Sequence, residues 1–296
     1  MKHLILGSTG FIGAALFRSM RASGLEVVGA DIRDSEELPF VRFDPLNPDF
    51  ASLVSDVNPD VVINCTGAAS VPDSFAAPLH DYMLNTIRIA EMLEAIRLCA
   101  PKAKFVHFSS AAVYGNPDVS PVAETCKIKP LSPYGWHKYH AENICREYHE
   151  IFGIETISLR VFSAFGPGLK KQIFWDIYNK ALSSPKLELF GTGYETRDFI
   201  YVDDVAKAVM CVVDKASFDG RAVNVANGVA STIRSAATSL ISSLGMNKTI
   251  EFSGSERLGD PLNWQADIQY LSSLGYTSDF TLEQGLEQVA AWMNQQ

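Results

Sequence analysis

Short apolar runs alternate with helical patterns along the first half of the chain. Strands are predicted at residues 4–6, 26–30, 40–43, 61–65, 104–108 and 154–160. Apolar positions at helical spacing separate them, for example at residues 14–21 and 84–99. Strands that alternate with helices usually form a parallel sheet covered by helices on both faces. The pattern therefore predicts an α/β protein with a Rossmann-type, doubly wound parallel sheet.

The alternation loosens after Gly166, which indicates a second, smaller lobe. Residues 1–164 are assigned to the sheet domain, and a segment of about 187–227 is expected to return to it. Residues 165–186 and 228–296 are expected to form the smaller C-terminal lobe, which a helix at 282–293 would close.

Composition limits the partners and the compartment. The 296 residues carry a net charge of −9 without a recurring basic stretch, so neither nucleic acid nor an anionic membrane is an expected partner. No apolar run reaches transmembrane length, and the five scattered cysteines fit free thiols in a reducing compartment. We therefore expect a cytoplasmic protein.

His137 and His140 lie three residues apart without a matching third ligand, so no metal site is predicted.

The first strand runs directly into a glycine-rich loop, Gly7-Ser8-Thr9-Gly10-Phe11-Ile12-Gly13, and then into a helix. Strand, glycine loop and helix in this order suit a dinucleotide, because the pyrophosphate needs close backbone approach and a helix N-terminus. The second strand ends at Asp31, which can accept hydrogen bonds from ribose hydroxyls and would repel a 2′-phosphate. Asp31 therefore favours NAD over NADP, although Arg33 weakens that preference.

A second candidate site is the run Ser132-Pro133-Tyr134-Gly135-Trp136-His137-Lys138. Ser132 and Pro133 predict a helix start, and the spacing places Tyr134 and Lys138 on one face, one turn apart. An ammonium group and a helix N-terminus would both favour the phenolate, making Tyr134 a usable proton shuttle. The alternative is an exposed helix start on which the two side chains merely lie side by side. A hydroxyl after the strand at 104–108 would hold a substrate oxygen together with the phenol.

Together these motifs resemble the extended short-chain dehydrogenases, and specifically the NAD-dependent nucleotide-sugar epimerase and dehydratase family. The resemblance spans essentially the whole chain. It continues through LRVFS at residues 159–163, FGPG at 165–168 and RDFIYVDDVA at 197–206.

The resemblance implies a role for each matching residue. Ser110, Tyr134 and Lys138 match the catalytic hydroxyl, the acid/base and the lysine that binds the nicotinamide ribose and lowers the pKa of the tyrosine. Positions on the cofactor side are Gly7, Gly10, Phe11, Ile12, Asp31, Arg33, Asp44, Gly67 and Asn85, with Tyr134 and Lys138. Positions on the side of the nucleotide-diphospho-sugar substrate are Ser110, Ser163, Arg197, Arg257 and Trp264.

The reaction is narrowed by Ala111 and Ala112, which stand where the dehydratases carry acidic residues. Because alanine cannot transfer a proton, dehydration is disfavoured and hydride chemistry remains. We expect a UDP-hexose 4-epimerase that works through a transient 4-keto sugar with a tightly held NAD. The alternatives are an NAD(P)H-dependent nucleotide-diphospho-4-keto-sugar reductase and a non-catalytic dinucleotide-sensing protein.

Several positions depart from the family pattern or allow two interpretations. Ser163 replaces the usual Asn, and the segment at 169–173 is shorter than in many relatives. The bulk of Trp264 suggests an unacetylated hexose, but a core tryptophan is an equal alternative. Asp203 and Asp204 allow a catalytic interpretation, but we favour their interpretation as N-caps of an apolar helix. The family also implies a homodimer, formed by the helices around 84–99 and 134–151.

Overall fold

We analysed a computed structural model that describes residues 1–255, 259 and 261–296. Arg257, a predicted substrate contact, lies outside the described residues. The strands are β1 Lys2–Leu6, β2 Glu26–Asp31, β3 Phe40–Arg42, β4 Val61–Asn64, β5 Lys104–Ser110, β6 Thr156–Val161, β7 Ser163–Phe165, β8 Lys186–Leu189, β9 Thr196–Tyr201, β10 Asp219–Val225, β11 Ala230–Thr232 and β12 Thr249–Phe252.

The helices begin and end as follows: α1 Phe11–Ala22, α2 Phe50–Val57, α3 Val71–Ala76, α4 Pro78–Tyr82, α5 Arg88–Cys99, α6 Pro133–Phe152, α7 Gln172–Ser183, α8 Val202–Lys215, α9 Ile233–Ser243, α10 Gln269–Ser273 and α11 Leu282–Met293. A π-turn at Met83–Ile87 joins α4 to α5, so the helix predicted at 84–99 is α-helical only from Arg88. Within the described part of the chain, no helix is both long and apolar enough to cross a membrane.

Seven strands form one parallel sheet in the order β10-β6-β5-β4-β1-β2-β3. The chain starts in the middle, moves outward to β3 and then returns past β1 to fill the other half. This is the doubly wound arrangement, and the predicted fold class is confirmed.

Alternate residues of the strands pack on opposite faces of the sheet. Leu4 and Leu6 of β1 pack with α2, α5 and α6, whereas Ile5 packs with α1, α8 and α10 on the other face. Each of these three side chains is at most 1% exposed, so each contributes roughly 2 kcal/mol of burial. Because both faces are covered, the strand interiors are mostly apolar, as in Leu4-Ile5-Leu6 of β1.

The smaller lobe has an apolar core of its own, formed by α7, α9, α11 and residues of β8 and β9. Two segments pack differently from the expected division of the chain. Strand β8, placed within the returning segment, pairs with β12 and contributes Leu187 to the core of the smaller lobe. Helix α10, placed in the smaller lobe, packs its Leu271 against the large sheet. Neither pairing is visible in local periodicity, because both depend on residues far apart in the chain.

The interpretation of Asp203 and Asp204 as N-caps is wrong. Tyr201 is the N-cap of α8, and both aspartates lie in its first turn. Asp204 is buried, and its carboxylate accepts hydrogen bonds from the backbone amides of Asp279 (2.8 Å) and Phe280 (3.1 Å). Asp204 therefore fastens the segment that leads into α11.

Replacement of this carboxylate tests its structural role. We expect Asp204→Asn to lower the free energy of unfolding by about 2 kcal/mol, because one of the two amides loses its charged, buried acceptor. Urea titration of the purified variant measures the change. An unchanged midpoint would contradict the assignment.

Candidate active site

The start of α6 brings the predicted proton shuttle to the end of β5. Ser132 caps the helix, since its Oγ accepts a hydrogen bond from the Gly135 amide at 3.2 Å, and Pro133 is the first helical residue. A Cβ at Gly135 would lie 2.6 Å from the Ala112 carbonyl oxygen, so only glycine allows this approach. Gly135 lies within the predicted run, but no role for it was expected from the sequence.

A cleft of about 770 Å³ opens at this point between the large sheet and the smaller lobe. Predicted residues from seven separate stretches line it: Ile12, Gly67, Ser110, Tyr134, Lys138, Ser163, Arg197 and Trp264. Gly7, Gly10, Phe11, Asp31, Arg33, Asp44 and Asn85 do not line this cavity. The structure thus gathers the predicted catalytic and substrate residues that it describes around one space.

The pKa of Tyr134 lies above its ordinary value, contrary to the expectation that its surroundings favour the phenolate. Burial raises the pKa of Tyr134 to about 12, and a hydrogen bond with Ser110 only partly opposes this. The Lys138 Nζ lies 6.0 Å from the centre of the phenol ring. Spacing along a helix predicted the shared face correctly, but it did not reveal the desolvation of the phenol.

Lys138 points its ammonium group at the backbone instead. Its Nζ donates a hydrogen bond to the Phe108 carbonyl at 2.9 Å, and burial lowers its pKa to about 8, against the attraction of Asp81. Asp81 is itself buried, and one carboxylate oxygen lies 2.6 Å from Nδ1 of His137. The His137 side chain is only 12% exposed, and its contact with Asp81 could not be predicted from the spacing of the two residues.

The glycine loop has the geometry that a pyrophosphate requires. A Cβ at Gly13 would lie 2.1 Å from the Gly7 carbonyl oxygen, so α1 packs directly on the loop. Gly10 is the N-cap of α1, and no side chain of the described residues caps this end. The first amides of the helix therefore face outward, available to an anion. The residues present fit a dinucleotide.

Asp31 lies at the end of β2 and is tied to this loop. Its Oδ2 accepts a hydrogen bond from the Thr9 amide at 2.9 Å, and its Oδ1 accepts one from Ile32 at 2.7 Å. The Arg33 guanidinium donates to the Thr9 carbonyl at 2.9 Å. A carboxylate has more lone pairs than these two bonds use, so Asp31 retains the capacity to accept from a ribose hydroxyl.

Three further cofactor positions lie at the same edge of the sheet or behind it. Asp44 is exposed after β3, and its Oδ1 accepts a hydrogen bond from the Leu46 amide at 2.8 Å. Gly67 lines the cleft against Asn85, whose Oδ1 would be 2.5 Å from a Cβ at Gly67. Asn85 is fully buried in the π-turn, and its amide has no hydrogen-bond partner among the described residues. Such a group requires a partner, and a ligand against Gly67 would supply one.

Trp264 forms one wall of the opposite half of the cleft. Its ring packs against Phe162, and its Nε1 donates to the Gly115 carbonyl at 3.0 Å. The Arg197 guanidinium lies 5.7 Å from the ring centre. Trp264 is thus both a packed core residue and a lining residue, so the two interpretations are not exclusive. Ser163, at the start of β7, lines the same half.

Two cationic side chains of the cleft were missed by the sequence analysis. Lys171 and Lys180 line its far end, on the segment that begins α7 and on α7 itself. Lys180 forms an ion pair with Asp176 at 2.8 Å and donates to the Glu188 carbonyl at 3.1 Å. The four-residue spacing of Asp176 and Lys180 was the available signal, but it is common on exposed helices.

The described residues hold no cluster of three or more side chains suited to a metal ion.

Residues 3–226 match the NAD dependent epimerase/dehydratase family. The chain belongs to this family. The family predicted from the motifs is therefore confirmed, and with it an NAD-dependent enzyme.

Individual members of the family resemble the chain over nearly its whole length. An uncharacterised UDP-glucose epimerase of Bacillus subtilis is 29% identical over 99% of this chain and 90% of its own. The UDP-glucose 4-epimerase of Mycolicibacterium smegmatis is 28% identical, over 95% and 98%. The UDP-glucuronic acid 4-epimerase of Bacillus cereus, solved with UDP-glucuronic acid and NAD, superposes with a TM-score of 0.90 at 29% identity, covering 100% of this chain and 99% of that one.

Because the charge of Lys138 is buried, we expect replacement of this lysine by an apolar residue to increase the free energy of unfolding. Lys138→Met removes the cost of burying an ammonium group, which is about 3 kcal/mol. The variant also loses the hydrogen bond to Phe108, which lowers the free energy of unfolding by about 1 kcal/mol. We expect the variant to be about 2 kcal/mol more stable than the wild type at pH 7.

The pH dependence follows from the lowered pKa. Because the unfolded state binds the lysine proton more tightly, wild-type stability rises as the pH passes from about 8 to the ordinary lysine value of 10.5. The advantage of Lys138→Met should therefore shrink over this range. Chemical denaturation of both proteins at pH 7 and pH 10 measures it, and a constant difference would contradict the assignment.

Proposed function

We propose that the protein is an NAD-dependent nucleotide-sugar epimerase that inverts C4 of a UDP-hexose. The observation that carries the proposal is the meeting of Ser110, Tyr134 and Lys138 at one cleft in which Ala112 stands beside the catalytic hydroxyl. Ala111 is fully buried and also lacks a group that transfers protons. These residues support oxidation and reduction of a sugar carbon, and they offer no acid for elimination at positions 111 and 112.

In the proposed reaction the chain positions the sugar and moves one proton. Tyr134 and Ser110 hold the C4 oxygen between them, and Tyr134 removes its proton while Lys138 stabilises the negative charge. When bound, NAD would accept the hydride from this carbon and would return it to the opposite face of the keto sugar. After the keto sugar has turned its other face, Tyr134 returns the proton. The high pKa of Tyr134 in this structure means that the ligands themselves must activate the phenol, for example by redirecting the Lys138 ammonium toward it.

NAD and the nucleotide sugar are assigned to different parts of the molecule. We assign NAD to the sheet domain, residues 1–164 with returning strands up to about 227, through the glycine loop, Asp31, Asp44 and Asn85. The smaller lobe, formed mainly by 165–195 and 228–255 with α11, would cover the nucleotide sugar. Arg197 and the predicted Arg257 suit its diphosphate, because guanidinium groups match phosphate oxygens. Lys171 also lines the cleft and adds positive charge there, whereas the charge of Lys180 is paired with Asp176.

UDP-glucose is the best specific substrate because the curated relatives include UDP-glucose 4-epimerases over almost the full chain. The lining near Ser110 also includes Ala68, Ala69 and Ala112, and these small apolar side chains suit an uncharged hexose. A UDP-glucuronic acid 4-epimerase is an equally similar fold, so the uronic acid belongs in the same test.

The assay uses NMR to follow UDP-glucose, UDP-galactose, UDP-N-acetylglucosamine and UDP-glucuronic acid with the purified enzyme. We expect interconversion of UDP-glucose and UDP-galactose without stoichiometric NAD(P)H. Tyr134→Phe should lower kcat by roughly 10²- to 10⁴-fold because the proton transfer is lost. The matched control is Tyr194→Phe, an exposed tyrosine of the smaller lobe.

Two outcomes would overturn the proposal. Conversion that requires an equivalent of NAD(P)H per turnover would identify a keto-sugar reductase. Binding of NAD without turnover of any sugar in the panel would identify a dinucleotide-sensing protein.

Two further expectations concern the cell and the assembly. Five free cysteines fit a reducing compartment, and we propose the cytoplasm. Exposed apolar side chains on α5 and α6 support the expected homodimer: Leu98, Trp136, Ile151 and Phe152 are 46–69% exposed.

Light scattering tests the assembly. The wild type should have twice the mass of one chain, and Leu98→Glu/Ile151→Glu should have the mass of one chain, because two charges would be buried at the contact. Val229→Glu, an equally exposed position on the other lobe, should remain dimeric. A monomeric wild type would refute the dimer.

A further inference from the structure

A buried ion pair lies directly behind the proposed catalytic residues. Arg160 of β6 and Glu142 of α6 meet through two bonds, Nε to Oε1 at 2.9 Å and Nη2 to Oε2 at 2.7 Å. Their side chains are 4% and 2% exposed. Neither residue lines the cleft, so the pair cannot contact a substrate there.

The pair is connected to each of the three catalytic residues through the backbone. Glu142 lies one turn after Lys138 on α6, on the same helix as Tyr134. Its Oε1 also accepts a hydrogen bond at 2.6 Å from Ser109, the residue before Ser110. Ser109 pairs with Arg160 in the register of β5 and β6. One carboxylate thus joins the helix that carries Tyr134 to the strand end that carries Ser110.

The guanidinium extends the connection to the rest of the wall. Arg160 Nη1 donates to the Tyr114 hydroxyl at 2.9 Å and to the Glu124 carbonyl at 3.0 Å. The Tyr114 hydroxyl donates to Asn224 Oδ1 of β10 at 2.7 Å. Every polar atom of the ion pair is therefore used, in a fixed bidentate geometry.

Stability alone gives no reason to keep this pair. Desolvation of two charges commonly outweighs their attraction, so apolar residues of similar size are often as stable or more stable. A rigid connection has another value, because displacement of reacting groups by about 1 Å can lower the rate roughly 10²-fold.

We infer that Glu142, Arg160 and Ser109 are positioning residues that fix the separation of Ser110 from Tyr134 and Lys138. The inference rests on the catalytic roles proposed above. The ion pair transmits no proton and touches no ligand. It holds the strand end and the helix in one arrangement, so that the C4 oxygen meets both hydroxyls at once.

The decisive variant is Glu142→Met/Arg160→Met, which removes both charges and leaves no unpaired one. We expect its melting temperature to stay within a few degrees of the wild type. Its kcat should fall by roughly 10²-fold, with KM changed less than about threefold, because ground-state binding does not need the same precision. A larger isotope effect from substrate deuterated at C4 should accompany the loss.

Three further proteins separate positioning from folding. Ser109→Ala, which cuts only the link to the strand end, should lower kcat by roughly tenfold. Glu142→Gln retains the shape and one acceptor, and it should recover much of the activity lost in the double variant. Asp204→Asn, a destabilised variant on the opposite face of the sheet, should keep its kcat per folded molecule.

Two results would overturn the inference. One is a double variant with wild-type kcat. The other is a crystal structure of the double variant in which Ser110 and Tyr134 keep their wild-type separation, and this result counts even if the wild type turns over no sugar. A wild type that fails to epimerise would instead overturn the proposed function alone.

Discussion

The architecture of the site depends on one close contact, between the first turn of α6 and the loop that follows β5. The helix can approach this loop only because Gly135 has no side chain to meet the Ala112 carbonyl. Ser132 and Pro133 start the helix at the required residue. As a result Tyr134 lies beside Ser110, although the two are separated by a long loop. If the helix kept its place but its sequence were shifted by one residue, the position of the phenol would rotate by about 100° around the helix axis, away from the cleft.

The cofactor side was predictable because its geometry is local. Strand, glycine loop and helix are contiguous in the first 22 residues. Short continuous apolar runs also indicate which strands are buried on both faces of the sheet. The sugar side was not predictable to the same degree, because distant segments assemble it. Asp198, for example, joins two loops by accepting hydrogen bonds from the amides of Asn227 (2.8 Å) and Ala266 (3.0 Å). The spacing of these residues along the chain does not predict that they are in contact.

The failed expectations share a physical cause. Periodicity reports which residues share a face, but it contains no information on what covers that face. It therefore placed Tyr134 and Lys138 together correctly, but it did not reveal the burial that raises the pKa of the phenol. In the same way, Asp203 and Asp204 precede an apolar helical pattern, yet Tyr201 occupies the cap and Asp204 serves a segment more than 70 residues away.

Buried polar groups are concentrated where the chemistry is proposed. Lys138, the pair of Glu142 and Arg160, and the unpartnered amide of Asn85 all lie within or directly behind one wall of the cleft. Each is costly in a protein interior. A ligand that satisfies Asn85 and turns the Lys138 ammonium toward the phenol would relieve part of this cost, and its binding would then stabilise the fold and activate the proton shuttle through the same contacts. The cost of these buried polar groups and the reactivity of the site would then both follow from a single arrangement of buried charge.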